Sequence, residues 1–268
     1  MKTKKKPIFV SVATQKGGAG KSTFTILAAS ILQYKLGKNV AIIDCDSTQG
    51  SIHGLRERDL ETLSNSPKIQ SLLAIQQERS EKSLYPIKRV SSLEVINPDK
   101  SKSYLALDVA EELSQSQDLD YIFFDMPGSV KVSGVLKTLL MMDYIFCPFS
   151  NVTSDIESSL AFCRTLINGV IKAKVGNLKT VYGFWNQIDS RAKTSAFDKY
   201  IPVFSDLGVE MLETRIPQLV RFGKEISNNP KPTEIFKSTI LAPQGSLYGS
   251  GVNDLVDEMV KAMDSETN

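Results

Sequence analysis

The chain has 268 residues, enough for one large domain with a sizeable core. Hydrophobic residues make up 41% and charged residues 23%, which excludes disordered and fibrous classes. With 32 Lys and Arg against 30 Asp and Glu, the formal net charge is +2, so bulk charge alone cannot carry nucleic-acid binding, although a local basic face can.

In chain order, the first predicted strand is Ile8–Thr14, followed by a glycine-rich turn and a helix over Ser22–Leu36. A strand at Asn39–Asp44 comes next. The stretch Ser64–Lys102 is broken at Ser64–Pro67 and again at Glu81–Ser83, and yields only a short strand at Leu93–Ile96. Then come a helix at Leu105–Ser116, strands at Asp120–Asp125 and Asp143–Phe149, and a helix at Ile156–Lys174. A strand at Thr180–Trp185, a helix at Lys193–Leu207 and a closing helix at Val252–Met263 complete the order. The helices carry apolar residues three or four apart. Several strands are apolar at nearly every position, as strands buried on both faces should be. Alternation of this kind predicts an α/β fold: a doubly wound, mostly parallel sheet flanked by helices, in one domain over 1–268 with a decorated second crossover.

No apolar run reaches the ~18 residues of a membrane span. The lysine start (Lys2, Lys4, Lys5, Lys6) and the apolar run after it end at Gln15 and Lys16 without a small-residue cleavage site, which argues against a signal peptide. Cys45, Cys147 and Cys163 are too few for a disulfide framework and none lies in a CxxC spacing, so a reducing, cytoplasmic setting is expected. Each sits in an apolar run and reads as a core residue. His53, the only histidine, has no metal-ligand neighbours and reads as a surface residue.

The first strand runs into Gln15-Lys16-Gly17-Gly18-Ala19-Gly20-Lys21-Ser22-Thr23 and then a helix. This is where a phosphate cradle belongs. Glycines let backbone N–H groups turn inward around phosphate oxygens, Lys21 places a charge on the β- and γ-phosphates, and the Ser22 hydroxyl suits Mg²⁺. The common spacing would put glycine at position 15, where this chain has Gln15; the match is instead K-G-G-x-G-K-[ST], with an extra lysine at Lys16. Asp125 closes the apolar run Tyr121–Phe124, at the ligand edge of such a sheet. It either holds Mg²⁺ through a water or caps the following helix. Asp44 and Asp46 also end a buried strand; one residue apart, they point to opposite sides and should not share one role. Both can instead be turn residues.

The phosphate loop resembles the deviant loop of the ParA/MinD ATPases, which partition plasmids and chromosomes or place division sites. Asp44-Cys45-Asp46-Ser47-Thr48-Gln49 resembles the family's D-x-D segment with its nearby Gln, here with an extra residue, as in the gradient-forming division regulators. Asp125-Met126-Pro127-Gly128 resembles its D-x-P-G segment, and Met1–Gly20 is also similar to the TraA-type ATPases of Bacteroides conjugative transposons. The resemblance implies a P-loop NTPase with ATP and Mg²⁺ as cofactors, slow hydrolysis, and an ATP-bound homodimer. It implies Lys16 acting in trans on the partner's phosphates, Asp46 orienting the attacking water, and Asp44 supporting the loop or an outer metal water. Ser22 and Asp125 would hold the metal, and Gly17, Gly18, Ala19, Gly20, Lys21, Ser22 and Thr23 would wrap the phosphates. Asn186 and the Ile216-Pro217-Gln218 loop would flank adenine; an amide offers the donor and acceptor that its edge needs.

Six basic residues against two acidic ones in Ile171–Tyr200, and five against two in Arg215–Lys237, suggest a basic face for nonspecific DNA, unless they are solvated helix faces. Arg221 matches a basic site used for DNA in this family. The expected partners are therefore a second copy, nonspecific DNA and a protein activator, with no membrane, in a cytoplasmic, nucleoid-associated protein serving partition or conjugation. The closing helix is acidic, which disfavours anionic lipid. A small-molecule ligase of the dethiobiotin synthetase type, or a division-site regulator, is the alternative on the same phosphate loop.

Overall fold

A computed structural model describes residues 5–46, 52–189, 197, 199–228, 230–231, 234–243 and 249–265. Its elements are β1 (Ile8–Val12), α1 (Lys21–Tyr34), β2 (Val40–Asp44), α2 (Ile52–Asn65), α3 (Pro67–Ser80), β3 (Ile87–Arg89), β4 (Val95–Ile96), β5 (Lys102–Ser103) and α4 (Leu105–Ser116). There follow β6 (Tyr121–Asp125), α5 (Val135–Leu140), β7 (Tyr144–Phe149), α6 (Thr153–Leu166), β8 (Thr180–Ile188), α7 (Ile201–Leu207), β9 (Glu210–Pro217) and α8 (Val252–Ser265).

Seven strands form one sheet in the order β3-β2-β6-β1-β7-β8-β9, with every neighbouring pair parallel. Parallel strands need crossovers, and the crossovers cover both faces. One face buries Val10, Val12, Ile42, Phe123 and Phe146 against α1 and α8. The other buries Phe9, Ile43, Ile122, Phe124 and Ile145 against α4, α5 and α6. Both faces of β2, β6 and β7 are therefore dry, which is why those strands read as unbroken apolar runs. Each fully buried Ile or Phe there contributes on the order of 2 kcal/mol from burial. A third, smaller cluster joins Ile69 and Leu73 of α3 to Ile235, Ile240 and Leu241.

The structure departs from the sequence expectation in the second crossover and at the sheet edges. Leu93–Ile96 does not join the sheet: only Val95–Ile96 is strand, in a separate antiparallel pair with Lys102–Ser103. The edge position beside β2 goes instead to Ile87–Arg89, which pairs with β2 in parallel. The break at Ser64–Pro67 is a helix junction, where Ser66 Oγ accepts from Ile69 N and Pro67 occupies the first turn of α3. Of the predicted helix Lys193–Leu207, residues 193–196 and 198 lie outside the described residues; α7 occupies its end. The predicted helix Ile156–Lys174 is α6 continued by a π turn through Ile171. Among the described residues, no helix is long and apolar enough to cross a membrane.

Candidate nucleotide-binding site

β1 lies between β6 and β7, so the strand order reverses at its carboxyl end and leaves a crevice there. Residues 15–20 turn in that crevice and α1 starts at Lys21 with no side-chain cap, which leaves its first amides to face a ligand. Gly20 has φ 88°, and a Cβ on it would stand 3.0 Å from the Phe24 ring and 3.1 Å from Asn186 Nδ2, so only glycine fits. Gly128 brings the Asp125–Gly128 turn over the loop: a Cβ there would meet Lys21 Nζ at 3.2 Å. Lys21 Nζ donates to Lys16 O at 3.3 Å. Gly17, Gly18, Ala19 and Gly20 lie on this one turn, and Lys21, Ser22 and Thr23 in the first turn of α1.

Two acids end neighbouring strands in register, Asp44 beside Asp125. Asp125 is fully buried, and neither carboxylate oxygen finds a hydrogen-bond donor in bonding geometry. Burial pushes its pKa up to about 7; Ser22 and Lys21 pull down, Asp44 and Asp46 push up. Asp44 is also buried, and burial raises its pKa even though the backbone N–H of His53 donates to its Oδ2 at 2.8 Å. That bond ties Asp44 to the first turn of α2, while its Oδ1 has no partner. Asp46 stands half-buried just past the strand; Ser47, Thr48 and Gln49 lie outside the described residues. Buried carboxylate oxygens without donors, next to a serine hydroxyl, are the hard oxygen set that a Mg²⁺ ion takes, so Ser22, Asp125 and the outer Asp44 fit that ion. Asp125 does not cap a following helix: α5 begins only at Val135.

A cavity of about 310 Å³ opens between the start of α1, the end of β8 and the loop after β9. Phe24, Asn186, Pro217 and Phe222 line it, and the Phe24 ring stands 5.7 Å from that of Phe222. Asn186 is buried, and its Nδ2 donates to Ala19 O at 2.8 Å. Asn186 and Pro217 thus both line the cavity beside the loop. Three features escaped the sequence reading. Phe24 and Phe222 wall the cavity, Gln187 Nε2 donates to Gly18 O at 2.8 Å, and Lys16 Nζ pairs with Asp155 Oδ1 at 2.7 Å. Lys16 is the main reason that the Asp155 carboxyl sits below its usual range. Arg221 lies in a 3-10 turn (Val220–Gly223), half-buried, with its guanidinium 5.6 Å from the Phe236 ring centre.

A family model described as ATPase MipZ matches residues 8–157, a span that holds the phosphate loop, Asp44, Asp46 and Asp125. None of the curated proteins compared matches the chain. Among solved structures, the pNOB8 ParA is 16% identical, with 97% of this chain and 99% of that one covered and a TM-score of 0.54. A ParA family ATPase from Chlorobium tepidum is 18% identical, over 94% and 98%, with a TM-score of 0.51. Cobyrinic acid a,c-diamide synthase from Mycobacterium smegmatis is 19% identical, over 81% and 89%, with a TM-score of 0.50. At such identities the structural likeness speaks for the fold alone, which is the P-loop NTPase fold expected. None of these comparisons bears out the narrower TraA-type likeness. By its matched family model, the chain belongs to the MipZ family of ParA/MinD-type ATPases.

Proposed function

We propose that this chain is an ATP-driven dimerisation switch that binds DNA without sequence preference when it is dimeric and resets by slow hydrolysis. Partition, division-site placement and maintenance of a conjugative element are processes such a switch serves, with a protein activator and a nucleoid-associated cytoplasmic location. The observation that carries the reading is the partnerless, fully buried Asp125 carboxylate facing the Ser22–Lys21 end of an uncapped helix. A buried acid in that state calls for a cation, and a helix start with a lysine calls for an anion. Nucleotide with Mg²⁺ supplies both at once. The ion, held by Ser22 and Asp125 with Asp44 outside, would neutralise charge on the phosphate oxygens.

In this reading the amides of residues 17–23 and Lys21 bind the phosphates, and Asn186 and Pro217 seat the base. Asp46 orients the attacking water; phosphoryl transfer rests on positioning and electrostatics, so an acid of ordinary basicity suffices. Lys16 leaves Asp155 and reaches the partner's phosphates. The closing helix supports the absence of a membrane partner: α8 buries Val252, Leu255, Val256, Met259 and Met263 in the core, so its apolar face is already used.

Calorimetry with ATP and Mg²⁺ tests the site. The wild type is expected to bind, and Lys21→Ala to weaken binding by about two orders of magnitude through loss of a charged contact. Unchanged ATP affinity in Lys21→Ala would overturn the assignment.

A further inference from the structure

We propose that Gln187 is a positioning residue that presets the phosphate loop, an inference that rests on the nucleotide reading above. β8 pairs regularly with β7 as far as Trp185, but against β9 its register shifts between Trp185 and Ile188. Inside that irregularity Gln187 has φ 57°, in the left-handed region that residues with a Cβ avoid. The conformation has a visible consequence. Along a regular strand, residues 186 and 187 would point to opposite faces. Here both side-chain amides reach the same loop. Asn186 Nδ2 donates to Ala19 O and Gln187 Nε2 donates to Gly18 O, each at 2.8 Å. Consecutive side chains thus hold consecutive carbonyls.

A trans peptide unit is planar, with its C=O and N–H pointing in opposite directions. Holding the Gly18 carbonyl on the Gln187 side therefore aims the Ala19 N–H the other way, and holding the Ala19 carbonyl does the same for the Gly20 N–H. These two amides lie in the middle of the loop that meets a polyphosphate. Gly18 itself has φ 72° and no side chain to resist rotation, so without the tether the 18–19 peptide can flip. Gln187 is exposed and packs no core, which leaves the loop contact as what its strained backbone accomplishes. The occupant is a polyphosphate chain, whether free or carried by a nucleoside.

The experiment compares wild type, Gln187→Ala and Gln187→Gly in calorimetric titrations with tripolyphosphate and with ATP, alongside thermal unfolding without ligand. Loss of one neutral hydrogen bond is expected to weaken both ligands about three- to tenfold in each variant. Gln187→Gly should also raise the unfolding midpoint by about 2–4 °C, because glycine accepts the left-handed backbone. Stability rising while phosphate affinity falls is a signature that a merely structural role would not give. Tripolyphosphate and ATP affinities within twofold of wild type in both variants would overturn the positioning role. A wild type that binds neither ligand would overturn the nucleotide reading itself, and the two failures are distinct.

Discussion

Lys16 Nζ is 47% accessible in its side chain and rests 2.7 Å from Asp155, an acid of the same protomer on α6. If Lys16 acts across a dimer, this pair must open first. An exposed ion pair contributes about 0–1 kcal/mol, so at most a roughly fivefold preference opposes the crossing. A cation placed on a transferring phosphoryl group can change the rate by ~10³–10⁵. The larger effect decides: the contact with Asp155 stores Lys16 but does not block it. Lys16→Ala is therefore expected to bind ATP, since the loop amides and Lys21 remain, yet to form no ATP-dependent dimer and to lose hydrolysis by about 10³-fold or more. Asp46→Ala should bind ATP and accumulate as a dimer, because the water is no longer oriented. Light scattering with ATP separates the two; the same mass for both variants would refute the opposed roles.

At the scale of elements, β9 closes one edge of the sheet, and an open edge offers unpaired amides to other chains. Here α8 covers part of it. Glu258 accepts from Glu213 N at 2.7 Å and from Thr214 N at 3.0 Å, and also bonds the Thr214 hydroxyl. Glu258→Ala should cost about 1–2 kcal/mol, as removal of a charged acceptor shared by the half-buried Thr214 and the exposed Glu213 does. Urea denaturation reads that loss, and an unchanged midpoint would show that water replaces the carboxylate. The same edge marks what the sequence could and could not disclose. β1, β2, β6 and β7 were legible because burial on both faces leaves a run of apolar residues. Glu210–Pro217 mixes half-buried Met211 and Leu212 with exposed Glu213 and Arg215, so its pattern is that of a loop. The three residues of β3 are too few to show any period, and α2 carries charged residues from Arg56 to Asp59 and at Glu61, which break its apolar spacing. The phosphate loop was legible because backbone geometry demands glycines at fixed places. Asp155 and Gln187 were not, because their partners are chosen by how α6 and β8 pack beside the loop, which no local spacing records.

At the scale of the whole molecule, the two basic stretches separate. Lys172, Lys174 and Lys179 follow α6 to the amino end of β8, where Lys179 pairs with Asp143. Arg221, Lys224 and Lys237 lie instead around the loop after β9, beside the cavity next to the phosphate loop. Arg58 of α2 joins them through two 2.9 Å contacts with Glu225, the carboxylate that Arg58 and, more weakly, Lys237 hold below its usual range. Arg58 and Lys237 thus act on Glu225, with Arg221 and Lys224 in the same loop, beside the phosphate-loop cavity of a molecule of nearly zero net charge. A single such cluster engages few phosphates, and at physiological salt a few contacts bind weakly. Each neutralised phosphate adds about 0.9 to the slope of log affinity against log salt, so two clusters in a dimer multiply the affinity without any change in a contacting residue. Fluorescence anisotropy on unrelated duplexes, over a range of salt, is expected to show binding with a slowly hydrolysed ATP analogue and little without nucleotide. Arg221→Glu should weaken binding on every duplex and flatten the slope by about 1 per cluster, while ATP affinity stays unchanged. The Phe236 ring under Arg221 sharpens the test, because it holds the guanidinium against the turn and Arg221→Lys, which keeps the charge but stacks less well, should retain the salt slope. Equal DNA affinity with and without nucleotide would move the switch from DNA to a protein partner.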